Sequence, residues 1–296
     1  MPPTMEETDR IISSHLSTMT KKPQVAFFGG SFTGIDKNLM ENYLKIANKY
    51  LKKGEISGIR LSTRPDYIDD EILDILSFYS VTNIELGAQS MDDEVLNLSR
   101  RGHGRKEVEK AAEMINERGF TLGLQMMVGL PSDTYEKSVD TAKAFVSLGA
   151  KETRIYPTVI IKNTLLEKMY NEGTYVPMSF DEAMDASADC YSIFMENNVK
   201  VLRIGLPASE GLKESAVGGF YHEAIGEMVY SRVVRNSVMR ENDEAEIAYN
   251  KRFLSKVTGQ KRENIIFFEK TEKKVVLKED NTLSGVTVNG KYVLTF

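Results

Sequence analysis

Apolar runs of four to seven residues alternate along this chain with segments whose apolar positions recur at helical spacing. The runs are Val25 to Phe28, Gly58 to Ser62, Asn83 to Gly87, Leu122 to Val128, Thr153 to Tyr156 and Val199 to Ile204. Between them lie amphipathic stretches such as Leu39, Met40, Tyr43, Leu44 and Ala47, or Val108, Ala111, Ala112 and Ile115. Strands that alternate with helices up to about Gly205 predict an α/β fold with a parallel sheet covered by helices. The series opens on a helix, because Thr4 and Glu7 have the spacing of a capping box ahead of Ile11, Ile12 and Leu16. A helix in that place leads us to expect that a preceding strand is missing.

The pattern changes after Gly205. Gly211, Gly218 and Gly219 precede a long helical stretch from Tyr221 to Met239, and a second helical stretch is expected around Asp243 to Val257. Three short strands are then expected at Ile265 to Phe268, Val275 to Leu277 and Tyr292 to Leu294, with Asn289-Gly290 as a hairpin turn. The division expected is a barrel-like unit over 1–205 and a small helical and β appendage over 206–296.

Composition narrows this only modestly. The 296 residues are 41% hydrophobic and 27% charged, enough for a sizeable core. No run of about 18 apolar residues reads as a membrane span, and the N-terminal residues are acidic where a secretory signal would be basic. A cytoplasmic protein is expected. The formal charge of −5 argues against a broad nucleic-acid surface, although a local basic patch is compatible with it. Cys190 is the only cysteine, so the chain can form no disulfide framework within itself, and His15, His103 and His222 are too scattered for metal-ligand spacing. No metal site is expected from these residues.

In parallel α/β folds ligands lie beyond the C-terminal ends of the strands. The first strand runs into Gly29-Gly30-Ser31-Phe32-Thr33-Gly34, where glycines let a ligand approach backbone N–H groups and Ser31 and Thr33 offer hydroxyls. A tight turn that binds nothing would read the same way. The next strands end in Ser62-Thr63-Arg64-Pro65-Asp66, in Gly87-Ala88-Gln89-Ser90, in Gln125 to Pro131 and in Tyr156-Pro157-Thr158. Polar groups and glycines at five successive strand ends predict a ligand crevice.

The ordered series Gly-Gly-Ser-Phe-Thr-Gly (29–34), Ser-Thr-Arg-Pro-Asp-Tyr (62–67), Glu-Leu-Gly-Ala-Gln-Ser (85–90), Arg-Arg-Gly-His (100–103), Val-Gly-Leu-Pro (128–131) and the stretch 155–164 resembles a radical SAM barrel. Within that superfamily it is most similar to the Elongator catalytic-subunit-like branch, with kinship to oxygen-independent coproporphyrinogen oxidases. The resemblance covers about residues 5–205. It implies a partial, TIM-like (β/α)6 barrel lacking its first strand and binding S-adenosylmethionine (SAM) across its open end. It also implies a 4Fe–4S cluster held by three cysteines after the first strand, which cleaves SAM reductively to a 5′-deoxyadenosyl radical. That cysteine motif is absent from this sequence.

By the same resemblance Gly29, Gly30 and Ser31, with Thr33 in the same loop, receive the amino end of the SAM methionine, and Arg101 binds its carboxylate. Gln89 and Gln125 contact the ribose, Met127 and Gly129 line the adenine, and Tyr156 stands near the site. Gln125 replaces an acidic residue common among the coproporphyrinogen oxidases, and Ser62 stands where relatives often carry glutamate. Relatives act on the wobble uridine of tRNA through a further acetyltransferase domain, for which the roughly 90 residues after the barrel are too few. RNA is thus a partner by resemblance only, and the substrate stays open.

Other residues carry plainer readings. His103 reads as a structural hydrogen-bonding residue, Cys190 as a packed position on one helix face, and most of the Arg100 to Lys106 cluster as solvated. Met126 and Met127 at a strand end are candidates to face the ligand. Two functional alternatives remain: a cluster-free module that binds SAM or a nucleotide without radical chemistry, and a lyase that uses Lys162 as a Schiff base.

Overall fold

Short polar residues set the helix starts, and apolar runs set the strands between them. The computed structural model describes residues 2–207 and 210–295. In chain order, α1 (Met5–Leu16) and β1 (Gln24–Phe27) lead into α2 (Lys37–Lys52), β2 (Gly58–Thr63), α3 (Asp70–Phe78) and β3 (Asn83–Gln89). These are followed by α4 (Asp93–Leu98), α5 (Arg105–Glu117), β4 (Thr121–Val128), α6 (Tyr135–Ser147), β5 (Glu152–Pro157), β6 (Val159–Ile161), α7 (Leu165–Asn171), α8 (Phe180–Glu196) and β7 (Lys200–Ile204). The capping box at Thr4 forms as expected, with Glu7 N–H donating to Thr4 Oγ1 at 3.2 Å and Thr4 N–H to Glu7 Oε2 at 2.8 Å. Asp36, Asp69, Asp92, Thr134, Thr164 and Ser179 cap α2, α3, α4, α6, α7 and α8 in the same way, each accepting from a backbone N–H.

All six expected strands form, and they pair in parallel in the order β1-β2-β3-β4-β5-β7, a sheet curled into an open barrel. Its outer face carries Ile59, Leu61, Ile84, Leu86, Leu122, Leu124 and Val128, all fully buried beneath the helices. Each such side chain contributes about 1.5–3 kcal/mol on burial. Met126 belongs to this face too, so of the two methionines it does not face a ligand; strand alternation turns it outward into the core.

The remainder is α9 (Glu210–Ser215), β8 (Ala216–Gly219), α10 (Ile225–Arg240), β9 (Glu244–Tyr249), α11 (Leu254–Thr258), α12 (Glu263–Glu269), β10 (Lys274–Glu279), β11 (Gly285–Val288) and β12 (Lys291–Thr295). Here β8 pairs antiparallel with β6, and a second sheet has the order β10-β9-β11-β12. The hairpin turn at Asn289-Gly290 forms, both residues having positive φ (48° and 81°).

Two expectations for this region fail. The stretch Asp243 to Val257 is not one helix: Glu244–Tyr249 is a strand with Ala245, Ile247 and Tyr249 buried on alternate positions. Helix-favouring Glu and Ala yield there to pairing with β10 and β11. Conversely, Ile265 to Phe268 is not a strand but lies in α12. Asn264 fixes that helix by donating from its buried amide to the carbonyls of Ser231 and Val257, at 2.9 and 3.1 Å. A four-residue apolar run has no period that distinguishes the two structures. Among the described residues no helix is long and apolar enough to cross a membrane.

Candidate functional site

The inner face of the sheet is polar. On alternate positions it presents Gln24 of β1, Arg60 of β2, Asn83 and Glu85 of β3, Gln125 of β4, and Glu152 and Arg154 of β5, whose side chains bond to one another across the lumen. Glu85, only 1% exposed, is the hub. It accepts from Arg60 (Nε 3.1 Å, Nη2 2.7 Å), from Arg154 (Nε 2.6 Å, Nη2 3.2 Å) and from Gln125 Nε2 (2.9 Å). Arg60 also reaches Glu152 at 2.6 Å and Gln24 at 2.9 Å. Gly123 on the neighbouring strand leaves room for this carboxylate, since a Cβ there would stand 2.8 Å from Glu85 Cγ. Burial pushes the Glu85 carboxyl upward, but Arg154, Gln125 and Arg60 outweigh it and hold it below the ordinary carboxylate value.

Above this network, at the C-terminal strand ends, lies a crevice of about 650 Å³. Gly29, Gly30, Ser31, Gln89, Arg101, Gln125 and Tyr156 line it, so seven of the ten residues expected at a cofactor site are brought together. Gly29 has φ +109°, a conformation that favours glycine, and the Cβ positions of Gly29 and Gly30 face open space. Their backbone is therefore open to a ligand. Gln89 is 8% exposed with φ +68°, just past a register shift between β3 and β4. A left-handed glutamine at a ligand crevice is the kind of backbone strain that clusters at functional positions. Its side chain lies over Gly87, where a Cβ would approach Gln89 Nε2 to 2.9 Å.

Arg101 is the least satisfied of the partly enclosed cations here. Its Nη2 donates to Gly87 O at 3.3 Å, while its buried Nε has no partner among the described residues. Burial first, and the neighbouring Arg64 second, lower its pKa. Arg64 itself is matched by Asp66 through bonds of 2.8 and 2.7 Å. Tyr156 is half-buried, with its phenol pushed up by burial and drawn down by Arg154. Phe28, 47% exposed, closes one wall beneath the Arg154 guanidinium, which lies 5.1 Å from the ring centre.

The remaining three expected residues do not line the crevice. Thr33 is buried, sharing a 2.6 Å bond with Thr63 Oγ1 and donating to Tyr67 O at 2.8 Å, so it ties two strand-end loops together. Met127 is half-buried in β4. Gly129 has φ +83° and packs under Phe220; its N–H donates to Asp133 at 2.8 Å and its carbonyl accepts from Tyr175 at 2.5 Å. Sequence reasoning passed over Arg203, exposed near the end of β7, and over Arg60, Glu85 and Arg154 in the lumen. For these last three, the signal was available: a charge at the centre of an apolar parallel strand has no solvent to face, so it needs a partner across the lumen. His103 Nε2 donates to Ala88 O at 3.2 Å and is buried, which agrees with a structural role. Lys162 lies outside the crevice with Nζ on Glu214 O at 2.8 Å.

An open parallel α/β barrel with an arginine-lined crevice at its strand ends defines the class of protein. The Radical SAM superfamily model matches residues 4–145, and the Radical_SAM C-terminal domain model matches residues 150–235. The chain belongs to the radical SAM superfamily.

An uncharacterized protein of Methanocaldococcus jannaschii is 30% identical over 192 residues, 64% of this chain and 58% of that one. A tRNA uridine(34) acetyltransferase of Methanocaldococcus infernus is 30% identical over 53% of this chain and 31% of its own length. The solved structure of the archaeal Methanocaldococcus infernus Elp3 with an N-terminal deletion superposes with a TM-score of 0.69 at 23% identity, over 79% of this chain and 59% of that one. The chain thus spans well under two thirds of these relatives' lengths.

The two groups the superfamily uses fare differently against these residues. The open space at Gly29 and Gly30 leaves room for a ligand, and the Arg101 guanidinium, bonded only to Gly87 O, fits one that carries a carboxylate. A cluster bound by three thiolates does not fit. Cys190 is the single cysteine, fully buried on α8, with its thiol donating to Ser138 O and its pKa driven up by burial. Among the described residues no three His, Cys, Asp or Glu side chains converge as a metal site.

Proposed function

We propose that the strand-end crevice binds SAM, and that this 296-residue chain holds and orients it without the cluster ligands that reductive cleavage requires. The methionine carboxylate lies on Arg101, the amino end meets the Gly29-Gly30-Ser31 backbone, and Gln89 and Gln125 take the ribose hydroxyls. Met127 and Gly129 belong to the adenine side. The observation that carries this reading is the half-buried Arg101 guanidinium, whose enclosed Nε has no partner among the described residues, because an unsatisfied charged donor is costly unless a ligand completes the group. The whole site belongs to a protein of the Elongator-like branch, and RNA as its substrate rests on the names of relatives alone.

Calorimetric titration of SAM into the chain tests it. Binding with one-to-one stoichiometry is expected, weakened at least about tenfold in Arg101→Ala, the usual scale of a lost charge-assisted contact. Anaerobic iron–sulfide reconstitution of the same chain is expected to yield no stoichiometric cluster. Equal SAM affinity in the variant, or no binding by the parent chain, overturns the placement. Four irons per chain would overturn the reading that these 296 residues supply no cluster ligands.

A further inference from the structure

Among the described residues four arginines line the crevice, Arg64, Arg101, Arg154 and Arg203, and no carboxylate does. Two of them are matched from behind the wall: Arg64 by Asp66, and Arg154 by Glu85. Glu85 and Glu152 also bracket Arg60, so the lumen holds two carboxylates against two guanidinium groups and is balanced. Arg101 meets only a neutral carbonyl. Arg203 is exposed at the end of β7 and has no hydrogen bond or ion pair among the described residues. The crevice therefore carries two uncompensated positive charges.

SAM does not cancel them. It brings one carboxylate together with an ammonium and a sulfonium, so its own net charge is positive. Nor can one carboxylate serve both arginines. Arg101 is tied to Gly87 of β3, whereas Arg203 stands on β7 opposite Arg154 of β5, three strand intervals along the sheet. At about 4.8 Å per interval this is roughly 14 Å of sheet. Arg203 is left facing the part of the crevice beyond SAM.

We propose that Arg203 anchors a phosphate group of the second ligand, so that the crevice has one anion site for SAM at Arg101 and another for a phosphorylated substrate on the β7 side. A phosphate answers the excess better than a carboxylate, because it carries up to two negative charges and its oxygens match the guanidinium fork. The chain as a whole carries −5, so a phosphorylated molecule is repelled by most of the surface and drawn to this crevice. The inference rests on the SAM placement above.

The test titrates four probes into the full chain saturated with SAM: inorganic phosphate, uridine 5′-monophosphate, a short single-stranded RNA, and uridine as the phosphate-free control. Phosphate-bearing probes are expected to bind the parent chain about tenfold more tightly than Arg203→Gln, with partial recovery in Arg203→Lys, as for one charge-assisted contact. SAM affinity should stay unchanged in both variants. Dependence on Arg203 for inorganic phosphate and the monophosphate identifies a small phosphate ester, and dependence for the RNA alone identifies a backbone phosphate. Equal binding by the parent chain and Arg203→Gln overturns the inference, as does one-for-one displacement of SAM by phosphate. Were SAM itself not to bind, the function proposed above would fall, while the same comparison on the unliganded chain would still decide the role of Arg203.

Discussion

The two faces of the six-stranded sheet are made by the same strands, alternate residues apart, and they obey opposite rules. The outer face is an apolar layer of Ile59, Leu61, Ile84, Leu86, Leu122 and Leu124, close-packed against helices. The inner face buries charge, with Glu85 gripped by two arginines and a glutamine. On the outside each side chain contributes separately through area removed from water, so losses are local. On the inside the groups depend on one another, because a buried charge is tolerable only while its partners stay. The difference teaches where each kind of information resides: the outer face holds the fold, and the inner face holds up the crevice.

That contrast can be broken most sharply at Glu85. Glu85→Ala leaves Arg154 without its carboxylate and Arg60 with Glu152 alone, and should cost about 3–5 kcal/mol in urea denaturation. Replacing Arg60, Glu85, Glu152 and Arg154 jointly with apolar residues of similar size should cost much less than Glu85→Ala alone. A joint cost equal to the sum of the single changes would show that the inner face is no more interdependent than the outer one.

Leu124→Ala, one position from Gln125 but facing outward, should cost about 3 kcal/mol through cavity formation. Its SAM affinity, measured below the unfolding transition, should match the parent chain. A comparable loss of ligand binding would erase the division of labour between the faces.

Gly30→Val should change the unfolding free energy measured in urea by no more than about 0.5 kcal/mol, since the added side chain enters open space rather than the core. It should nonetheless abolish SAM binding measured by calorimetry, because that open space is the crevice. Retained binding would place the ligand elsewhere.

The smallest effect is expected from pH. His103 lies buried behind Arg101, and burial lowers its pKa from the ordinary 6.5, with Arg101 adding to the effect and the Ala88 carbonyl opposing it. The unfolded chain therefore takes up the proton first as the pH falls, and stability is lost from about 6.5 downward through the lower folded value. His103→Gln should flatten that slope. The window is distinct from that of Glu85, whose lowered pKa removes stability only below about 4.5. A variant with an unaltered slope between pH 7 and 5 would show that His103 does not carry it.

The legible part of this protein was the part encoded by local periodicity. The barrel strands, the Thr4 capping box and the Asn289-Gly290 turn could be read because each depends on neighbours in sequence. Where a segment's state depended on distant partners, reading failed. Glu244–Tyr249 becomes a strand through β10 and β11, and Ile265 to Phe268 becomes helical through Asn264 and its bonds to Ser231 and Val257. The candidate site divides along the same line. Glycines and polar residues at strand ends marked the crevice, but the network beneath it joins residues as far apart as Arg60 and Glu152.

The sequence by itself determined that this is a parallel α/β chain with glycines and polar side chains at its strand ends and one cysteine, because strand period, helix caps and composition are local properties. Only the tertiary structure decided which charges are compensated. Whether Arg101 and Arg203 lack a carboxylate partner among the described residues while Arg60, Arg64 and Arg154 have one depends on which side chains the curled sheet brings within a few ångströms, and at that range Coulomb energies change steeply with distance and burial.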